Sequence, residues 1–553
     1  MREYRGCART VGAECVSGAV WASGLEVCGG STDLLYRRTE SSVSDAALLV
    51  DTATGTIAGC HLPSGGRLLA GIPFAAAPVG ELRWRAPQPP EPWPGVRRAD
   101  RFRAAPAQGA SPNVPGASPK STFPTFPTAQ ITETSEDCLY LNVWVPAGSG
   151  DTALRPVIVW IYGGGFEAGS AAPPYSDGDA LARQTGAVVV AANYRLGAFG
   201  FLHLADLGTQ WSGATNFAIQ DQVAALGWVA ANIRAFGGDP ANVTVAGQSA
   251  GAFSIGTLLG VPAASGLFAK AILHSGGTSR ILSRDTANTM TENLLAALRL
   301  DDPEDLLKVP TQDVLDAQTI IASTDIGSRN LPGGHVWGVV LDGVVLPRDP
   351  LRTVADGAVA HIPLLIGATH DEIRLFQRLA GDAFRPADRT ALLAEMQRAG
   401  VTEPDELLRA YRSRAPHSDD LSDLRSMFLT DAVYRIPATD LARAQNAAGG
   451  RAYHQLLLAE PCGPDLGAFH GADLLYLFDK LALVDAARPE HLAVRDLLIG
   501  AWTDFAASGA PRWPAYAPNK VTNSRAITAP PIVDSMITEP PDDIARLWSR
   551  PSI

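Results

Sequence analysis

A mostly parallel α/β sheet, flanked by helices and preceded by short antiparallel strands, is the architecture that the 553-residue sequence predicts. Three observations carry the prediction. Short apolar, β-branched runs recur between Leu139 and Tyr194, each bounded by turn residues, as strands covered on both faces do. A helix-periodic stretch separates two such runs, and strands alternating with helices place a parallel sheet between helical layers. Apolar residues make up 46% of the chain and charged residues 18%, so there is ample material for a large core.

Residues 1–46 show neither helical nor strand periodicity and read as an unstructured N-terminal extension. From Thr56 to Phe74 the pattern fits short antiparallel strands. Prolines then accumulate between Ala104 and Thr134, which reads as a long surface loop. Leu139–Val145, Pro156–Tyr162 and Ala187–Tyr194 are the buried strands. Between Gln220 and Phe236, Val223, Leu226, Ala230 and Ile233 recur at helical intervals, and Gly237-Gly238 supplies the stop. Asn242–Gly247 is the next strand. Residues 281–360 and 377–450 carry Asp, Arg, Leu and Ala at helical spacing and read as helical excursions from one domain spanning 48–553; His361–Gly367 and Ala452–Ala459 return to strand texture.

Charge and cysteine usage exclude several functions. The net charge is -12, and five of the 45 basic residues are lysines, leaving no basic tract to neutralise phosphates, so a nucleic-acid partner is not expected. No apolar run approaches the ~20 residues that span a bilayer. Of six cysteines, Cys7, Cys15 and Cys28 fall in the first thirty residues and no spacing resembles a zinc site. The N-terminal arginines are not followed by an unbroken apolar stretch, so the chain reads as intracellular, in the cytoplasm.

Chemistry concentrates in a few segments. Gly247-Gln248-Ser249-Ala250-Gly251 stands where a strand turns into a helix, and small neighbours are needed if Ser249 is to sit in a strained turn with its hydroxyl above the sheet edge. Gly163-Gly164-Gly165-Phe166 follows a buried strand, where the amides of Gly164 and Gly165, with that of Ala250, would receive an oxyanion. The base expected late in such a chain is His470, in a loop after the last strand texture; His454 lies within a strand and His491 reads as helix surface. Asp371 and Glu372, just past His361–Gly367, are the candidates for the acid, and spacing does not separate them. Asn242-Val243-Thr244 matches a glycosylation sequon but reads as buried strand.

These segments, together with Ser135–Pro146, Asn193–Phe201 and Asp221–Pro240, resemble the type-B carboxylesterase and cholinesterase family of α/β-hydrolases from about residue 48 to the end. The resemblance implies the α/β-hydrolase fold, Glu372 as the acid, Ser275 as its support, and two structural ion pairs, Arg195 with Asp221 and Arg83 with Glu136. It implies hydrolysis of a small-molecule carboxylic ester through an acyl-enzyme, with Ser249 as nucleophile and no metal or organic cofactor. Amide or carbamate hydrolysis by the same residues, and a non-catalytic binding module, are the rival readings. Three departures stand out. Cys138 lacks the family's earlier cysteine partner, and Ile373 and Phe217 stand where glycine is usual. Where cholinesterases carry glutamate before the nucleophile, this chain has the neutral Gln248, which removes an attraction for cationic alcohols.

Overall fold

The structure, a computed structural model, describes residues 48–109, 133–148, 153–173, 176–323, 325–332, 334, 337–415, 420–517, 520 and 522–549. The extension read over residues 1–46 and residues 110–132 of the proline-rich loop lie outside the described residues.

Thirteen described strands make one sheet. They are β1 (Leu48–Thr52), β2 (Gly55–His61), β3 (Arg67–Pro73), β4 (Val96–Arg98), β5 (Tyr140–Val145), β6 (Arg155–Ile161), β7 (Val188–Ala192), β8 (Gly238–Gln248), β9 (Lys270–His274), β10 (Leu364–Thr369), β11 (Ala452–Leu457), β12 (Ser524–Thr528) and β13 (Val533–Ile537). Their spatial order is β1-β2-β3-β5-β7-β6-β8-β9-β10-β11-β12-β13, with β4 beside β2. From β7 to β12 every pair is parallel. The N-terminal hairpins, the β5–β7 junction and the β12–β13 edge are antiparallel.

The central strands are continuous apolar runs because both faces are covered: Val157 to Trp160 of β6 and Val188 to Val190 of β7 are all buried. The helix leading into β8 spans Phe217–Asn232, beginning three residues before the amphipathic stretch. Its start is fixed by Asn216, at φ 49°, whose side chain exchanges two 2.8 Å hydrogen bonds with the backbone of Val340. Phe217 at the usual glycine position is the first helical residue and is buried. A short 3-10 turn, Ile233–Phe236, ends at Gly237, whose φ of +83° reverses the chain into β8. Thr244 of the sequon is buried in that strand.

The excursions are helical. Between β9 and β10 lie Arg284–Leu298, Thr311–Ile321, Ile326–Asn330 and Pro350–Ala355; a parallel pair, Ile281–Leu282 with Val339–Val340, closes their base. Between β10 and β11 come helices from Arg374–Ala380 to Ile436–Ala447, interrupted by a π turn at Asp431–Arg435. Two sequence readings need correction. Strands β12 and β13 follow β11, so the His470 loop does not follow the last strand. His491 is buried in the helix Pro489–Ser508 with its Nδ1 2.9 Å from the Tyr476 hydroxyl, not on the helix surface.

Both anticipated ion pairs form as two-pronged contacts, Arg195 to Asp221 at 2.8 and 2.7 Å and Arg83 to Glu136 at 2.7 and 2.5 Å. Cys138 is a buried thiol outside any disulfide, and burial pushes its pKa up. Among the described residues no helix is long and apolar enough to cross a membrane.

One buried histidine gives the fold an acid sensitivity. His454, on β11, has Nδ1 2.9 Å from the Ser524 hydroxyl and a covered Nε2 with no partner among the described residues. Burial, against the pull of Glu539, lowers its pKa from 6.5 to about 4. The unfolded chain takes the proton first, so stability present above about pH 6.5 is lost as pH falls through 4, by on the order of 3 kcal/mol in all. The Tm is expected to drop across that window, and His454→Gln to flatten the drop. A variant with the same pH profile as the parent would remove His454 as the cause.

Candidate active site

Ser249 stands between β8 and the helix Ala250–Leu258, with φ 56° and ψ -125°. An L-residue adopts that conformation only when its surroundings impose it, and they do. The Ser249 N–H donates to the His274 carbonyl at 3.0 Å, and its carbonyl accepts from Phe253 N at 2.9 Å. The flanking glycines are required by contact: a methyl on Gly251 would lie 2.0 Å from the Ile161 carbonyl oxygen, and one on Gly247 2.7 Å from the Gly251 carbonyl carbon. The hydroxyl is thereby carried to the C-terminal edge of the parallel strands, where open α/β sheets place their ligand crevices. Among the described residues Ser249 Oγ forms no hydrogen bond.

The glycine loop after β6 packs directly on this turn. A methyl on Gly163 would stand 2.9 Å from Ser249 Cβ and 2.8 Å from the Gln248 carbonyl oxygen. Gly164 (φ +118°) and Gly165 (φ +67°) shape the bend, and the Gly164 carbonyl accepts from Glu167 N and Ala168 N at 3.0 Å each. Among the described residues no acceptor meets the amides of Gly164, Gly165 or Ala250, so three donors remain available next to Ser249.

His470 is brought in by the loop after β11. Its Nδ1 lies 2.5 Å from Glu372 Oε2, and Glu372 Oε1 accepts from Thr369 N at 2.8 Å. Glu372 is fully buried, so both oxygens are held by fixed donors. With Nδ1 bearing the proton for Glu372, Nε2 keeps its lone pair. That nitrogen is 3.2 Å from the Gln248 side-chain amide, assigned with its NH2 toward the ring. Tyr434, on the π turn, and Phe376 flank the imidazole with ring centroids at 4.9 and 5.4 Å. Burial, and then the charge of Glu372, raise the Tyr434 pKa, so this phenol stays protonated.

The neighbouring Asp371 faces elsewhere. Its carboxylate meets His370 at 3.1 Å, Arg374 at 3.1 Å and Ala468 N at 3.2 Å. Ile373, which replaces the usual glycine, takes ordinary right-handed helical angles and is buried, so the substitution leaves Glu372 in reach of the ring. Ser275 directly follows β9 with φ 53°, but its buried Oγ has no hydrogen-bond partner among the described residues, so it does not bond the Glu372 carboxylate.

Several residues of the cleft had no signal in the sequence reading. Arg280 donates to the Gly165 carbonyl at 3.3 Å and stacks over Phe166, its guanidinium carbon 5.0 Å from the ring centroid. Arg329 pairs with Glu167 just past the glycine loop. Tyr434 and Phe376 belong to the helical excursions.

Comparison with known proteins gives the family. The profile of the carboxylesterase family matches residues 46–531. A para-nitrobenzyl esterase of Bacillus subtilis is 35% identical over 465 residues, 81% of this chain and 88% of that protein. A fumonisin B1 esterase of Sphingopyxis macrogoltabida is 33% identical over 90% of this chain and 91% of that protein. The crystal structure of a carboxylesterase from Geobacillus stearothermophilus superposes with a TM-score of 0.78 at 36% identity, covering 91% of this chain and all of that one. With an α/β-hydrolase sheet beneath the site and these matches along nearly its whole length, the chain belongs to the carboxylesterase family.

Proposed function

We propose that the protein hydrolyses carboxylic esters through an acyl-enzyme, with Ser249 as nucleophile, His470 as general base and then acid, and Glu372 as the group that orients the imidazole. The observation that carries this reading is the joint placement of a serine forced to a strained turn, three unengaged amides beside it, and a histidine whose Nδ1 is tied to a buried carboxylate.

The chemistry follows from those positions. A substrate carbonyl oxygen seated against the amides of Gly164, Gly165 and Ala250 gains charge as Ser249 Oγ attacks, and each such donor contributes on the order of 3 kcal/mol in the transition state. His470 Nε2 takes the serine proton while Glu372 stabilises the imidazolium, and the proton passes to the departing alcohol. Water, activated by the same nitrogen, then releases the acid and restores Ser249. In the resting geometry Gln248 occupies the Nε2 lone pair, so its amide must yield as Ser249 turns toward the ring. The move exchanges one hydrogen bond for another and carries little net cost.

The test is transient kinetics with 4-nitrophenyl butyrate. The expected result is a burst of nitrophenolate near one equivalent per active site, followed by slower turnover. No nitrophenolate release above the uncatalysed rate, with no adduct at Ser249, would leave only binding. The corresponding 4-nitroanilide is expected to react far more slowly, and a reversed preference would make the protein an amidase.

A further inference from the structure

Beside the glycine loop stands a cation that forms no ion pair among the described residues. Arg280 follows the Ser275 turn, and its guanidinium lies over the rings of Phe166 and Phe253, at 5.0 and 6.0 Å from their centroids. Its Nη2 reaches the Gly165 carbonyl at 3.3 Å, a long hydrogen bond to a neutral acceptor, and its covered Nε has no partner among the described residues. The buried arginines Arg83, Arg195 and Arg425 are matched, by Glu136, by Asp221 and by Glu395 with Asp325, and so is the half-buried Arg435, by Glu539 and Asp431. Among the described residues no carboxylate comes within ion-pair distance of Arg280.

The surroundings add to the imbalance. Arg329 approaches the same glycine, since a methyl on Gly165 would stand 4.0 Å from its Nη2; Glu167 pairs with Arg329, and its charge reaches Arg280 without an ion pair. Burial, and then the like charge of Arg329, lower the Arg280 pKa to about 10, which leaves it charged at neutral pH. Two guanidinium groups and one carboxylate therefore surround Gly165. A partly compensated cation is costly to the free protein and of use to a ligand that brings the missing charge.

Position decides which part of the ligand that is. The leaving-group oxygen must face His470 Nε2. The contacts of Arg280 are instead with Gly165 and Phe166 of the glycine loop and with Phe253 of the helix behind Ser249. That is the acyl side. Both rings are buried beneath the guanidinium, which is itself partly exposed. Counting from the Gly165 amide through its own carbonyl, a carboxylate on Arg280 would lie on the order of 6–9 Å from the oxyanion, about the reach of a short diacid.

Resting on the esterase reading above, we propose that the acyl pocket selects esters whose acyl part carries a free carboxylate, half-esters of short dicarboxylic acids, and that Arg280 is the residue that binds this carboxylate. Hydrolysis of such a substrate yields the dicarboxylate and the alcohol.

The experiment compares kcat/KM, by pH-stat, for monoethyl glutarate, neutral ethyl hexanoate and 4-acetoxybutanoate, whose carboxylate is on the alcohol. Monoethyl glutarate is expected to lead ethyl hexanoate by about tenfold or more, as a charge-assisted pair would give. Arg280→Gln should collapse that ratio, and Arg280→Lys should keep part of it. An equal or inverted ratio in the parent protein, or a ratio untouched by Arg280→Gln in a variant of normal circular dichroism, overturns the proposal. A lead for 4-acetoxybutanoate alone overturns the acyl-side placement. Calorimetry with glutarate separates the two readings: binding that depends on Arg280, with no ester turned over, would sink the esterase reading and leave the anion pocket standing. Turnover of ethyl hexanoate without glutarate binding would do the reverse.

Discussion

Ser249→Ala is expected to lower kcat for ester hydrolysis by about 10⁵-fold or more while leaving the Tm within about 2 °C of the parent. The first half follows from removal of the only atom proposed to bond the acyl carbon; a small rate above the uncatalysed one should persist from the amides of Gly164, Gly165 and Ala250. The second half follows from what Ser249 does in the fold. Its Oγ makes no hydrogen bond among the described residues. Its backbone bonds to His274 and Phe253 do not depend on the side chain. Alanine keeps the same Cβ, so the strain of φ 56° is carried equally by both residues. A fluorophosphonate adduct mapped by mass spectrometry should fall on Ser249 and vanish in the variant. An adduct on any other serine would move the nucleophile.

The parts of this molecule that could be read from sequence are those whose physics is local. The strands at Arg155–Ile161 and Val188–Ala192 were legible because burial on both faces leaves an uninterrupted apolar run. The turn at Ser249 was legible because two close backbone approaches admit nothing larger than glycine at 247 and 251. Strand β12 was not, since Arg525 on it meets Asp534 of β13 at 2.8 Å, and an ion pair across an edge strand carries no apolar signature. His491 misled because helix position was judged without the Tyr476 hydroxyl it meets. Arg280 and Arg329 converge on the glycine loop from segments more than a hundred residues distant in the chain. Only tertiary structure brings them together, and no periodicity announces it. The choice between Asp371 and Glu372 was closed to spacing for a simpler reason: adjacent residues in a turn point to opposite sides, and nothing local says which side holds the histidine.

Glu372→Gln is expected to reduce kcat by about 10³- to 10⁴-fold, and Asp371→Asn by less than about tenfold. The argument rests on proton bookkeeping in a closed space. Both Glu372 oxygens accept from fixed donors, Thr369 N at 2.8 Å and His470 Nδ1 at 2.5 Å. Glutamine offers one acceptor and one donor, so one of those contacts must become donor against donor. The backbone N–H of Thr369 cannot change, whereas an imidazole can move its proton. The amide oxygen will therefore face Thr369, and the NH2 will face Nδ1 and drive the ring proton to Nε2. Gln248 worsens the outcome, because its own amide can turn its oxygen toward the new Nε2–H and hold the wrong tautomer. A ring protonated at Nε2 cannot accept the proton of Ser249. Asp371 bonds His370, Arg374 and Ala468, so its amide disturbs none of these protons. The check is kcat for both variants across pH 6 to 9, together with the ring ¹⁵N shifts of His470. Equal losses in the two variants, or a Glu372→Gln enzyme whose His470 retains the Nδ1–H tautomer, would mean that Glu372 does not orient the base.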